Sequence, residues 1–503
     1  MDPIGTITNF YPFLTDKTRI IVESVLMKAG GYDNFVDQLV DFVLTKEETD
    51  DLTYFTTIQA WLSLNTHIME KLLERILNDD VLRPWVYFHA FNGASIEVDW
   101  EEFTSAVDRA LEKSHEEWIR VHILMIGVMF APPTHRERFF VEAEEVIKRC
   151  PELTCFKPEI LIRRGWDCRF STDVQGAIRY FEQAYKIADE YNDILRKADA
   201  NSDLGSHLKE SNIWLAIEKL EESYREFKLI GADVWTGAIA GDLGLLHSII
   251  GEYDLAVEFY IEANRILEPS KRGKLAASVV LSRLFCDMNL PEEALEWLKW
   301  KRDGEEITPD ILKELPSTEN REYLLSVART MIQLGHLDGI PNLLNEAHKI
   351  ILKRGDEAGH VYYNHVSGLL EIALGNVEEG MQYLIDSLEE AERLQYQVYI
   401  NSALLSLAKT EIRLSKRETG IGDTETSGQW MTRLEIHARE KNYPGIQMQH
   451  ALLKAEYQKM IGDTELALLT LQDALGFTDS PGVKTLRKRI LDRMKEIETS
   501  VDA

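Results

Sequence analysis

Cysteine is scarce in this chain, with only four in 503 residues. Cys150, Cys155, Cys168 and Cys286 include no CxxC pair. Four thiols cannot staple a chain of this length, and their spacing fits no zinc site. They read as reduced thiols in a cytoplasmic setting. Long apolar runs are also missing: the longest, 123–131, is about half of what a membrane span needs. The opening Met1-Asp2-Pro3-Ile4-Gly5 has neither the basic start nor the apolar stretch of a signal peptide. No membrane insertion and no export are expected. Positive charge is in deficit, 56 Lys and Arg against 85 Asp and Glu, for a formal net charge of −29. Such a field repels phosphate backbones and anionic bilayers, so no nucleic-acid partner is expected. It also keeps an elongated surface soluble.

Catalytic and cofactor signatures are missing too. The single Gly-Lys, Gly273-Lys274, is followed by Leu275 and lacks the upstream glycine of a phosphate-binding loop. Gly420-Ile421-Gly422 is too short a match and follows no strand. Neither Gly-x-Ser-x-Gly nor HExxH occurs. His360 and His365 fall about 140° apart on a helix of about 3.6 residues per turn, so they do not readily share a metal. They read as core-edge or groove residues. Cys168 reads as a buried core residue, and Trp166, Trp214 and Trp235 as mostly core. No cofactor, no metal and no enzymatic activity are expected.

What the chain does have is a repeat. In 243–269, LGLLHSIIGEYDLAVEFYIEANRILEP, small residues Gly244, Ala256 and Ala263 alternate with Tyr260 around a Gly251-Glu252-Tyr253 turn. Two short amphipathic helices packed antiparallel need small residues where their backbones cross, and an aromatic beside them. The small residue early in each second helix recurs at Ala177, Ala216, Ala256 and Ala294, in steps of 39, 40 and 38. Ile340 and Gly380 continue it, and Ala467 closes it. Gly165, Gly244 and Gly368, with Ala328, Ala408 and Ala455, take the close-approach position of first helices, and Gly205 falls one residue off it because of a longer turn. Gly251, Gly335, Gly375 and Gly462 sit at turns that favour a left-handed backbone.

This order resembles the tetratricopeptide repeat (TPR), a helix-turn-helix unit of about 34 residues with Trp, Leu-Gly, Tyr, Ala, Phe/Tyr and Pro landmarks. Here Ala240 stands at the Trp position and His247 at the first Tyr, and Pro269 falls one residue late. The longer period of about 40 residues resembles the arms of signal-sensing regulators and kinesin light chains. Upstream, 1–150 reads as irregular helices over 16–28, 32–44, 52–78, 100–113, 116–130 and 134–150. Asp99 is an N-cap, and Gly30-Gly31-Tyr32 is similar to the Gly251 turn. Degenerate repeats and a separate helical cap both fit this region. The rhythm breaks at 303–320 and 417–428, both read as loops. The basic amphipathic stretch after Pro481 reads as a terminal cap.

The expected fold is all-α, a right-handed α-solenoid of TPR-like helix hairpins. The irregular region 1–150 precedes an array over 151–480 and a capping helix over 481–503. The resemblance implies a non-enzymatic scaffold or adaptor that binds a protein or peptide in its concave groove. The alternative is a ligand- or peptide-sensing regulator. An enzyme on a helical toroid would need a closed barrel with inward-facing acids. Carrying the family's inner-face positions over places Arg283, Arg329, Tyr362, His365, Lys409, Arg413 and Lys459 on or beside the groove. An acidic segment is then the expected partner. The Lys/Asn carboxylate clamp of the co-chaperone subgroup has no match in this register. A plainer alternative is that these cations bridge to neighbouring glutamates, contacts worth about 0–1 kcal/mol each.

Overall fold

The computed structural model describes residues 5–45, 50–87, 99–170, 173–267, 271–301, 321–418 and 428–501. Most of the two expected loops, 303–320 and 417–428, lies outside them, as do Gly420-Ile421-Gly422 and Pro269. Among the described residues the fold is all-α, with no strand and no helix long and apolar enough to cross a membrane. They form two compact units, 1–242 and 243–503, divided by compactness rather than by regularity of the repeat.

The first unit begins with α1 (Gly5–Thr8), α2 (Asp16–Leu26), α3 (Tyr32–Thr45), α4 (Asp50–Leu62) and α5 (Thr66–Ile76). It continues with α6 (Trp100–Lys113), α7 (Glu117–Phe130) and α8 (Pro133–Arg149). The single helix expected over 52–78 is two, α4 and α5. Leu64 takes a left-handed φ of 53°, and the Asn65 side chain accepts from the Ile68 amide. A left-handed leucine followed by an N-cap ends one helix and starts another. Asp99 caps α6 as expected, accepting from the Glu101 amide at 2.9 Å. The hairpins α9 (Lys157–Phe170)–α10 (Val174–Glu190) and α11 (Ile194–Leu208)–α12 (Ile213–Ile230) complete the unit. The division falls inside α13 (Asp233–Ile250).

In the second unit α14 (Tyr253–Leu267) follows the Gly251 turn, then α15 (Lys271–Asp287), α16 (Pro291–Lys301), α17 (Arg321–Gln333) and α18 (Ile340–Arg354). Next come α19 (Glu357–Leu374), α20 (Val377–Arg393), α21 (Gln397–Glu418) and α22 (Gln429–Glu440). Finally α23 (Pro444–Met460), α24 (Thr464–Ala474) and α25 (Lys484–Val501) close the chain.

The hairpins are TPR-like by their own geometry. The second-helix markers Ala177, Ala216, Ala256, Ala294, Ile340 and Ala467 are fully buried. A Cβ at Gly165, Gly205, Gly244 or Gly368 would press on the partner helix, 2.9 Å from the Tyr260 ring in the case of Gly244. Overpacking of that kind costs about 1–3 kcal/mol, so these positions hold the helices at close range. Gly251, Gly335, Gly375 and Gly462 all have φ between 78° and 96°. Asn192, Asn289, Gln395 and Asn442 do the same work at other turns without glycine. Two core expectations fail. Trp214, on α12, is 39% exposed, and Cys168 is half-buried, not at the core.

Each unit brings distant turns together. In the first, Gly31 lies against Gly231, and the Asp33 amide donates to the Gly231 carbonyl at 3.2 Å. In the second, Gly251 lies against Gly445 so closely that a Cβ on either would overlap the other's backbone. Thr485 at the start of α25 donates twice to the Asp254 carboxylate, and Arg489 donates to the Met288 carbonyl at 3.1 Å. The final helix therefore joins the unit's early hairpins as well as packing on α23 and α24.

Candidate functional site

Three first helices of the second unit present polar residues at helical spacing toward a shared interior. Arg283 and Asp287 are four apart on α15, and Arg329 and Gln333 four apart on α17. Ser402, Ser406, Lys409 and Arg413 form one stripe along α21, in steps of four, three and four. Closure of the unit drives these faces inward, and the apolar sides of the same helices fill the seams between hairpins.

At the centre Arg329, 4% exposed, donates through Nη2 to Asp287 Oδ1 at 2.5 Å. Ser402 Oγ donates to the same oxygen at 3.2 Å. Burial opposes the Arg329 charge, but the Asp287 carboxylate, Tyr362 and Cys286 together outweigh it and hold the guanidinium above its ordinary value. Its Nε and Nη1 have no hydrogen-bond partner among the described residues. Gln333 donates to the Cys286 carbonyl at 3.2 Å. Arg283 lies over the Tyr399 ring, 5.5 Å from its centroid, and reaches the Tyr399 hydroxyl at 3.2 Å. Buried Tyr362 packs beside Tyr399, with ring centroids 5.7 Å apart.

Asp287, Arg329, Gln333, Ser402, Ser406, Lys409 and Arg413 line a cavity of about 230 Å3, together with Leu369, Ile372 and Leu405. Lys409 is half-buried and its side chain makes no hydrogen bond or ion pair among the described residues. Burial pushes its ammonium down to about 8; Arg489, Arg329 and Arg413 add to the effect and Asp287 opposes it. His365 is buried against Ser406, 3.4 Å from Nε2. Burial, then Arg329 and Lys409, keep its imidazole well below the usual histidine range, so it is neutral.

The seven groove residues named from the sequence thus separate. Arg329, Lys409 and Arg413 share the cavity. Arg283, Tyr362 and His365 belong to the packed wall around it. Lys459 lies on α23, outside the cavity lining. His360 pairs instead with Glu390 at 2.9 Å. Asp287, Gln333, Ser402 and Tyr399 were not anticipated. The signal that could have found them was the hydroxyl stripe Ser402-Ser406 continuing into Lys409 and Arg413.

The first unit has a second buried charge cluster. Arg196 pairs with Glu159, and with Asp199 at 3.4 Å, while Arg163 reaches Glu159 at 3.3 Å. Asp193 caps α11 through the Arg196 amide at 3.0 Å and accepts a hydrogen bond from Thr6. Here the chain's own start occupies the interior. Phe10 sits among Phe55, Trp118, His122 and Phe156, with centroids 4.8–5.8 Å away.

No family model matches the chain, and no curated protein matches it significantly. Among solved structures it is similar to the apo form of RapI, at 17% identity and TM-score 0.41, covering 55% of this chain and 99% of that one. A Rap conjugation gene regulator of plasmid pLS20, solved with the Phr* peptide, aligns at 16% identity and TM-score 0.38, covering 73% and 96%. A signal-transduction ATPase with a tetratricopeptide repeat sensor, from Pyrococcus horikoshii, aligns at 15% and 0.42, covering 71% of this chain and 53% of that one. The tetratricopeptide-like character of this chain rests on its own hairpins: buried small crossings, left-handed turns and the period that joins them.

Proposed function

We propose that residues 243–503 form a non-enzymatic binding module in the cytoplasm that holds an acidic protein or peptide segment. Arg413 and Lys459 meet the segment, and Arg283, Arg329, Tyr362 and His365 form the wall behind it. One observation carries this reading. In a chain with 85 carboxylates, the side chains of Arg413 and Lys459 make no ion pair among the described residues. Charge-assisted contacts to a partner's carboxylates would complete them. The cavity's lining includes one carboxylate, Asp287, already engaged by Arg329. General acid–base chemistry on a closed helical ring would ask for a second acid.

Fluorescence anisotropy with a panel of acidic, neutral and basic peptides tests this. Acidic peptides should bind, and the double variant Arg413→Glu/Lys459→Glu should weaken them at least about tenfold, or 1.4 kcal/mol. Equal binding of all three classes, or no effect of the double variant, overturns the reading. The contact between the Gly251 and Gly445 turns favours a second role, as a regulator whose ring tightens on its ligand. Ligand-dependent compaction in solution scattering would mark it, since a plain scaffold keeps its envelope.

A further inference from the structure

We propose that the cavity bounded by α15, α17 and α21 is a binding site for a small, doubly charged oxyanion of the phosphate class. Its size points away from a peptide. At about 230 Å3 it falls below the roughly 300–1,000 Å3 of sites for drug-sized ligands, yet it exceeds the roughly 30 Å3 share of one water several times over.

The charge count selects the ligand. Arg329, Lys409 and Arg413 face one carboxylate, Asp287, and that carboxylate is already shared by Arg329 and Ser402. Among the lining residues two positive charges remain to be met, with Arg489 a further cation near Lys409, and a dianion meets the two. Donors are in place as well. Arg329 is 4% exposed and keeps Nε–H and Nη1–H without partners. Each is a charge-assisted donor that an oxyanion can take up. The Lys409 ammonium has no partner among the described residues. Ser406 can accept from the Nε2–H of neutral His365, 3.4 Å away, which leaves its own proton to donate into the cavity. Crowding by Arg489, Arg329 and Arg413 acts on Lys409 with burial, and a bound dianion relieves both at once.

The site shares Arg329 and Arg413 with the peptide reading but not Lys409, so Lys409 separates the two tests. Isothermal titration calorimetry on the full chain, at pH 7 and constant ionic strength, tests it with inorganic phosphate, glycerol 3-phosphate and acetate. Phosphate or the monoester should bind with a stoichiometry of one, and acetate at least tenfold more weakly. A preference for the monoester identifies a phosphorylated metabolite as the natural source, and a preference for phosphate identifies the free ion. Lys409→Met should weaken either ligand at least tenfold, and Arg329→Met more. If Arg329→Met does not fold, Lys409→Met carries the test alone, because it removes a side chain with no partner to lose. Equal heats from acetate and phosphate, or unchanged binding by Lys409→Met, overturn the proposal. So does silence from both phosphates.

Discussion

The two units solve one packing problem with opposite charge. Each brings first helices inward, and each is drawn together by a glycine lying on a distant glycine, Gly31 on Gly231 and Gly251 on Gly445. In the first unit the interior polar cluster has acids in excess, with Glu159, Asp193 and Asp199 around Arg196 and Arg163. It is also filled by the chain's own Thr6 and Phe10. In the second unit cations are in excess around Asp287, and a cavity is left among them. A filled interior whose charges are answered within the chain is built for stability. On the proposal above, the second interior, whose cations outnumber its one carboxylate, takes up a ligand.

The largest expected effect separates the two arginines. Arg196→Met leaves Glu159 to Arg163 and removes the nearest cation from buried Asp193 and Asp199, and unpaired buried charge of that kind costs about 3–5 kcal/mol. Arg329→Met strands only Asp287, which keeps Ser402 and has Lys409 in the same cavity, so about 1–3 kcal/mol is expected. Urea denaturation of the two variants measures the gap. Equal losses would mean that the interiors are energetically alike.

Next come the two glycine contacts. A Cβ on Gly445 would overlap the Gly251 backbone, whereas one on Gly31 would come within 3.1 Å of Gly231 Cα. Gly445→Ala should therefore cost about 2–4 kcal/mol and Gly31→Ala about 1 kcal/mol. Denaturation midpoints rank them, and the reverse order would show that the Gly251 and Gly445 turns do not meet so closely.

The smallest effect is a pair of opposed pH slopes. Burial pushes Asp33 up to about 7 and Asp199 up to about 6. Between about pH 4 and those values the native state holds protons that the unfolded chain has lost, so stability falls as pH rises. Lys409, held down to about 8, acts in the other direction. From about pH 8 to its unfolded value the unfolded chain binds the extra proton, and stability rises with pH. Asp33→Asn should flatten the first slope, with a gain of about 1–3 kcal/mol at pH 8 and little change at pH 4. Lys409→Met should flatten the second. Unchanged slopes in both variants would remove the electrostatic contrast.

Much of the fold was legible because packing at a helix crossing depends on side-chain size alone. Gly244, Ala256 and Ala263 announce the hairpin whatever surrounds them, and Gly251 announces its turn. Turns made by Asn192, Asn289, Gln395 and Asn442 were silent, since polar residues in the left-handed region are common everywhere in sequence. The break at Leu64 was silent for a related reason: nothing in a leucine signals positive φ. The candidate site was legible only by register. The inner-face positions pointed to Arg329, Lys409 and Arg413, which line one cavity. They could not reveal that closure buries Arg329, Tyr362 and His365, nor that Asp287 on another helix answers Arg329. Those facts come from contacts between residues far apart in the chain, such as Gly251 with Gly445, that no local spacing encodes.

Hydrogen–deuterium exchange, followed peptide by peptide with and without inorganic phosphate at fixed ionic strength, puts the contrast between the units to its most direct test. Protection should rise across 321–333 and 397–418, which carry Arg329 and Lys409, and stay unchanged across 157–170 and 194–208, which carry Glu159 and Arg196. Equal changes in both pairs of segments, or none in either, would contradict the account of one filled and one receptive interior.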